Sequence, residues 1–423
     1  MRILDVVYTP VTTGFFRDDQ SAIREGRAHD GFLYTGSPVT PGFVAIREPG
    51  VAVSVVLILE DGQVAFGDCA EVQYAGAGGR APLSSLDELM AQLHDHVMPR
   101  LVGRTFQGFR AAAEEIDGLL VDGAQLATSV RYGVTQALLH AAALSSGLTM
   151  AEVVQLEYDI DAEIDLVPLF AQTGDDRYAN VDKMILKQVD ALPHGLINEV
   201  DTKLGRNGEI LLEYVAWLRE RVLSVRTNSD YFPRLHVDTY GTIGLAFDGD
   251  LERVVTYLAS LAKAAAPFSL WVEHPIDAGS RDGQVATYTK LRDLLRTREI
   301  PVSIVVDEWC NTLEDIDVFT RAKAADVIHV KTPDLGGINN TIEALLLVRE
   351  RGFRSYSGGT CNETDQSARV TTHVAMACGA DQVLAKPGMG VDEGIMIVRN
   401  EMARTRDLVR WRRAQQSAED AVT

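Results

Sequence analysis

The chain of 423 residues is too long for one ordinary hydrophobic core, which implies two domains or a large barrel with an addition. With 46% hydrophobic and 24% charged residues it reads as a soluble globular protein, and no apolar run approaches the roughly 18 residues a membrane helix needs. Its formal charge of −20, from 60 acidic and 40 basic residues, repels nucleic acid and anionic membranes, so neither is an expected partner. The start, "MRILDVVYTPVTTGFF", lacks the pattern of a signal peptide, and the cysteines (Cys69, Cys310, Cys361, Cys378) form no CxxC pair. Reduced thiols in a cytoplasmic protein are the expectation.

Residues 1 to about 75 read as strands, and "VAVSVVLILEDGQVAFGDCA" is two β-rich runs meeting at Asp61-Gly62, a hairpin signal. Helical spacing follows. "LSSLDELMAQLHDHVMPRLVG" starts at a Ser cap, and "FRAAAEEIDGLL" and "ATSVRYGVTQALLHAAALSSG" continue the pattern. Strands followed by helices predict an N-terminal α+β domain over residues 1–160.

From about residue 164 the chain alternates. "IDLVPLFAQ", "RLHVDTYG", "FSLWVEHP", "PVSIVVDEW", "DVIHVKTPD", "FRSYSGGTCNE" and "ADQVLAKPGMG" are strands, and amphipathic helices separate most of them. Repeated β-then-α units with apolar strands predict a parallel sheet buried on both faces, here a (β/α)8 barrel of the TIM type over residues 161–413. Residues 180–208 are hardest to assign, and "HGLINEVDTKLG" is the candidate second strand. A polar tail, residues 414–423, is expected to be disordered.

Four consecutive barrel strands end in a charge: "LHVD" at Asp238, "LWVE" at Glu273, "IVVD" at Asp307 and "IHVK" at Lys331. C-terminal strand ends of such a barrel open onto one face, so these residues should converge. Each acid alone is better explained as a helix cap or an arginine partner. Three converging carboxylates repel one another, and a hard divalent cation with oxygen ligands, Mg²⁺, resolves the repulsion. Beside a dication, a buried Lys331 should have its pKa depressed toward the roughly 7–8 useful to a general base. The plain alternative is a salt bridge from Lys331 to Asp307 or Glu308.

This order of acids and lysine resembles the enolase superfamily. The stretches "QYAGAGGR", "FAQTGDDRY", "LPHGLIN", "VDTYGTIG", "DEWCNTLED", "KTPDLGG", "GGTCNET" and "MACGADQVLAKPGMGVDEG" resemble, within it, the methylaspartate ammonia-lyase family. The resemblance implies reversible elimination of ammonia from L-threo-3-methylaspartate to give mesaconate, through abstraction of the C3 proton and a metal-stabilised enediolate. It implies Mg²⁺ with K⁺ as activator, and a homodimer of subunits in which an N-terminal cap closes a catalytic barrel. Asp238, Glu273 and Asp307 would bind Mg²⁺. Lys331 would be the base for the (S) C3 centre and His194 the base on the opposite face. Gln73, Gln172, Thr360 and Cys361 fall on contacts to the amino-diacid substrate, and Leu384 on the lining around its alkyl group. The family typically carries glutamine where this chain has His329, on the same side of the strand as Lys331. A neutral imidazole there can still donate one hydrogen bond to a bound carboxylate.

Without the family, His194 reads as a loop histidine. His236 faces the same side as Asp238 and is a candidate donor to a ligand. "YAGAGGR" does not open a helix after a strand, which argues against a nucleotide fingerprint and for a lid over the barrel mouth. The glycines of "GGTCNETD" let backbone N–H groups approach a carboxylate, so Cys361 reads as a backbone contact rather than a nucleophile. Two alternatives differ in outcome. A superfamily racemase or isomerase would return the proton without releasing ammonia. A metal-independent aldolase would use Lys331 as a Schiff-base nucleophile.

Overall fold

The computed structural model describes residues 1–420. A three-stranded antiparallel sheet opens the chain, with Arg47–Leu59 central between Ile3–Asp18 and Val64–Cys69. The turn between its last two strands is at Asp61-Gly62, where Gly62 takes a φ of +84°. Val53, Val55 and Leu57 alternate along the central strand and are fully buried, as a sheet with one covered face requires. The cover is the helix Thr128–Ser146, which crosses the strand Val64–Cys69 at two glycines. A Cβ on Gly67 would lie 2.1 Å from the Gly133 carbonyl oxygen, so only glycine permits this approach.

The helix Leu86–Gln92 starts at the expected serine: Ser85 and Glu88 exchange hydrogen bonds as a capping box. It does not run on regularly. A wide π-turn at Leu93–Val97 precedes the short helix Met98–Leu101. Pro99 has no N–H to give to the preceding turn, which accounts for the widening.

Eight parallel strands close the barrel: Leu169–Phe170, Ala191–His194, Arg234–Asp238, Leu270–Glu273, Val302–Val306, Val327–Val330, Arg354–Ser357 and Gln382–Leu384. Phe170, Trp271, Tyr356 and Leu384 pack inside it, beneath the mouth. The second strand is Ala191–His194, upstream of most of the stretch predicted for it. His194, Gly195 and Leu196 all take positive φ, which ends the extended run, and Val200–Leu204 then forms a helical turn.

One continuous apolar core joins the layers, since Leu57 and Leu139 belong to the same buried cluster as Val374 on the barrel helix Asp365–Cys378. The final helix, Glu393–Asp420, carries on through the first residues of the expected disordered tail. "AQQSAED" contains good helix formers and no breaker, so the helix has no local reason to stop at Arg413. Residues 421–423 of that tail lie outside the described residues. Among the described residues, no single helix is long and apolar enough to cross a membrane.

Candidate active site

The barrel brings the strand-tip charges together. Parallel register places Asp238 beside Glu273 at adjacent strand ends, with Asp307 just past the end of the next strand. All three carboxylates are buried. Burial, together with Glu273, Glu308 and Asp307, raises the Asp238 carboxyl well above its ordinary value. This is the mutual repulsion a cation would relieve, and the donors are hard oxygens. The residues present therefore fit a divalent ion such as Mg²⁺.

Among the described residues, the acids do not come together as a trio without a histidine. Glu273, Asp307 and His329 bring one donor each within 4.8 Å of one another. His329 Nδ1 lies 2.6 Å from Glu273 Oε1 and 3.5 Å from Asp307 Oδ1. His236 Nε2 lies 2.9 Å from the other oxygen of Glu273. Burial alone would raise the Glu273 carboxyl, but His329 and His236 hold it well below the usual range. Burial lowers the His236 pKa, so this donor is a neutral imidazole.

Lys331 Nζ makes an ion pair with Asp307 Oδ2 at 2.7 Å. The depression expected from the sequence was for a lysine beside a dication; with the protein's own groups alone its pKa is raised. Burial and Arg80 act to lower it, but Asp307, Glu308 and Asp334 outweigh them and raise it. The difference is one of neighbours: three carboxylates face the ammonium, and a dication among them would cancel much of what holds the proton on.

His194 faces the site from the second strand, with Nε2 at 3.5 Å from Asp238 Oδ2. Its Nδ1 accepts the Leu196 N–H at 3.3 Å. Burial lowers its pKa to about 4, so it is neutral near pH 7.

All the sequence-assigned residues except Glu273 line one pocket at the mouth, and Glu273 lies beneath them with 1% exposure. Gln73 donates its side-chain N–H to Asp18 at 2.8 Å and accepts the Cys361 S–H at 3.0 Å. Its backbone N–H donates to Thr360 Oγ1 at 3.1 Å, which ties the N-terminal layer to the barrel loop. Gln172 donates to the Gly388 carbonyl at 3.3 Å, and Leu384 closes the pocket floor. Burial pushes the Cys361 thiol up, so it is no nucleophile.

Sequence reasoning missed three features. The first is Arg80, at the end of the glycine loop. Its guanidinium is buried against Asp307 at 3.0 Å, Glu308 at 3.5 Å and Asp334 at 3.0 Å. The loop does lie on the mouth, where the Gly78 carbonyl accepts the Trp309 N–H and an Asn311 side-chain N–H. The second is the buried pair of Glu308 with His274 at 3.0 Å. The third is Lys386, whose ammonium contacts Glu363 at 2.7 Å and donates to the Gly358 carbonyl at 2.8 Å. Tyr132 donates to the same Glu363 at 2.5 Å. A lysine directly after the apolar run "VLA" was the available sequence signal for the third.

Two family models match the chain: methylaspartate ammonia-lyase N-terminus over residues 1–159 and C-terminus over 161–411. A methylaspartate ammonia-lyase of Clostridium tetanomorphum is 54% identical over 409 residues, 97% of this chain and 99% of that protein. A crystal structure of β-methylaspartase from the same organism, a Mg complex, superposes with a TM-score of 0.92 at 54% identity, covering 97% of this chain and 100% of that one. The Citrobacter amalonaticus enzyme containing (2S,3S)-3-methylaspartic acid superposes with a TM-score of 0.95 at 51% identity, covering 97% and 100% of the two chains.

Proposed function

The chain belongs to the methylaspartate ammonia-lyase family, and on that premise we propose that the pocket of Lys331, His194 and the three buried acids is where the family's reaction runs. The protein is a carbon–nitrogen lyase that eliminates ammonia reversibly from L-threo-3-methylaspartate to give mesaconate. The observation that carries the site assignment is the meeting of Asp238, Glu273, Asp307, His194 and Lys331 from five successive barrel strands.

In this reading Asp238, Glu273 and Asp307 hold Mg²⁺, in keeping with the Mg complex of the Clostridium enzyme. When bound, the ion supplies Lewis-acid stabilisation of charge on a substrate carboxylate, which acidifies the adjacent C–H. Lys331 takes the C3 proton, and Asp307, itself held by Arg80, keeps its Nζ in place for that transfer. His194, on the opposite wall, serves the other C3 epimer. Gln73, Gln172 and the loop at Thr360 and Cys361 orient the diacid, and Leu384 bounds the space for its methyl group. Residues 1–160 act as the cap of the catalytic barrel, 161–413. Activation by K⁺, a homodimer, a cytoplasmic location and a role in amino-acid degradation complete the reading by family likeness.

The test is to mix the purified protein with L-threo-3-methylaspartate, Mg²⁺ and K⁺. Ultraviolet absorbance of the unsaturated diacid should rise in step with free ammonia. A change in optical rotation with no ammonia would favour a racemase instead.

A further inference from the structure

Glu273 is held from both sides by imidazole rings, and each ring is locked. His236 Nδ1 accepts from the Gln382 side-chain amide at 2.9 Å, which leaves the proton on Nε2 for Glu273 Oε2. Gln382 is oriented in turn, because its carbonyl oxygen accepts from Arg234 at 2.9 Å. His329 mirrors this arrangement. Its Nε2 accepts the Gly359 backbone N–H at 3.3 Å, which leaves the proton on Nδ1 for Glu273 Oε1 at 2.6 Å. Neither ring is free to rotate. His236 stacks on Phe170 with centroids 4.2 Å apart, and His329 lies against Tyr356 at the same separation. On its far side His329 meets Gly358, where a Cβ would fall 1.8 Å from Nε2.

Both nitrogens of His329 are thus committed before any substrate enters. We propose that His329 is a positioning residue that fixes Glu273 for the metal, and that it is not a donor to the substrate. The Gly359 N–H that locks it belongs to the loop carrying Thr360 and Cys361. The ring therefore ties the metal ligand to the loop that receives the diacid. Residues that orient a ligand in this way change metal affinity by about 10–100-fold when removed.

The proposal rests on Glu273 being a metal ligand, and the experiment separates the two. Mg²⁺ binding without substrate is measured by calorimetry for the wild type, Glu273→Gln, His329→Ala and His329→Asn. Asparagine puts an amide N–H near the place of Nδ1. The expected result is about 10–100-fold weaker Mg²⁺ binding for His329→Ala, and a change of no more than about threefold for His329→Asn. Wild-type affinity in His329→Ala, with the loss confined to the substrate KM, would overturn the proposal. So would equal losses in the asparagine and alanine variants. Wild-type affinity in Glu273→Gln would instead remove the metal assignment beneath it. Nitrogen-15 spectra of the wild-type imidazoles, with His329 assigned through its sequential backbone resonances, give a readout that needs no variant to fold. The Nδ1–H tautomer is expected, and the Nε2–H tautomer would refute it.

Discussion

Lys331 Nζ and Asp307 Oδ2 are 2.7 Å apart, so the assigned base and an assigned metal ligand share one ion pair. Asp307 does not depend on the lysine alone, because Arg80 contacts its other oxygen at 3.0 Å. Lys331→Ala should therefore keep Mg²⁺ binding in calorimetry while kcat on L-threo-3-methylaspartate falls by about 10²–10⁴-fold, the usual contribution of a general base. Full activity in that variant would end the role given to Lys331.

Mg²⁺ should stabilise the folded protein. Burial and the neighbouring carboxylates raise the Asp238 carboxyl, a cost that a divalent cation among the acids would relieve. At a hundredfold excess over Kd the gain is about 2.7 kcal/mol, read as a higher Tm by calorimetric scan. Chelator should reverse it, and Asp238→Asn should shrink it.

Lys386 and Glu363 form a buried pair at 2.7 Å with side-chain exposures of 1% and 0%. Lys386→Met leaves the carboxylate buried and unmatched, which should cost about 3–5 kcal/mol. The double variant Lys386→Met, Glu363→Gln removes both charges and should regain part of that loss. Additive losses in urea titrations would argue against coupling.

Glu71 gives a pH signature away from the pocket. Burial pushes its carboxyl up to about 7, against the Ser84 N–H and Arg17. The folded state thus holds a proton that the unfolded state has lost between about pH 4.5 and 7. This group makes stability fall as pH rises through that window. Glu71→Gln keeps an acceptor and cannot ionise. Its Tm relative to wild type should be higher at pH 8 than at pH 5, and a flat difference would refute the assignment.

The barrel was legible because four strands carry apolar runs that end in charge, and parallel register converts that spacing into proximity. The acids, Lys331 and the contact residues follow from the same pattern and the family motifs. Arg80 was not legible as part of the site. It sits in a glycine loop of the N-terminal layer, and nothing in a linear pattern says that the loop descends onto Asp307. Among the protein's own groups, the carboxylates that hold the proton on Lys331 were not legible for the same reason, since Glu308 and Asp334 also face it. Nor does a histidine at 329 announce in sequence that a glycine N–H will occupy its second nitrogen.

The placement of Arg80 bears on how the molecule can be divided. A fragment starting at residue 161 would carry Asp307, Glu308 and Asp334 without the guanidinium that lies between them. Separately expressed halves should be inert alone and regain turnover on mixing, with Arg80→Met in the first half blocking rescue. Shuffling either half with that of a relative would then succeed only where the loop and its three acids travel as a matched set.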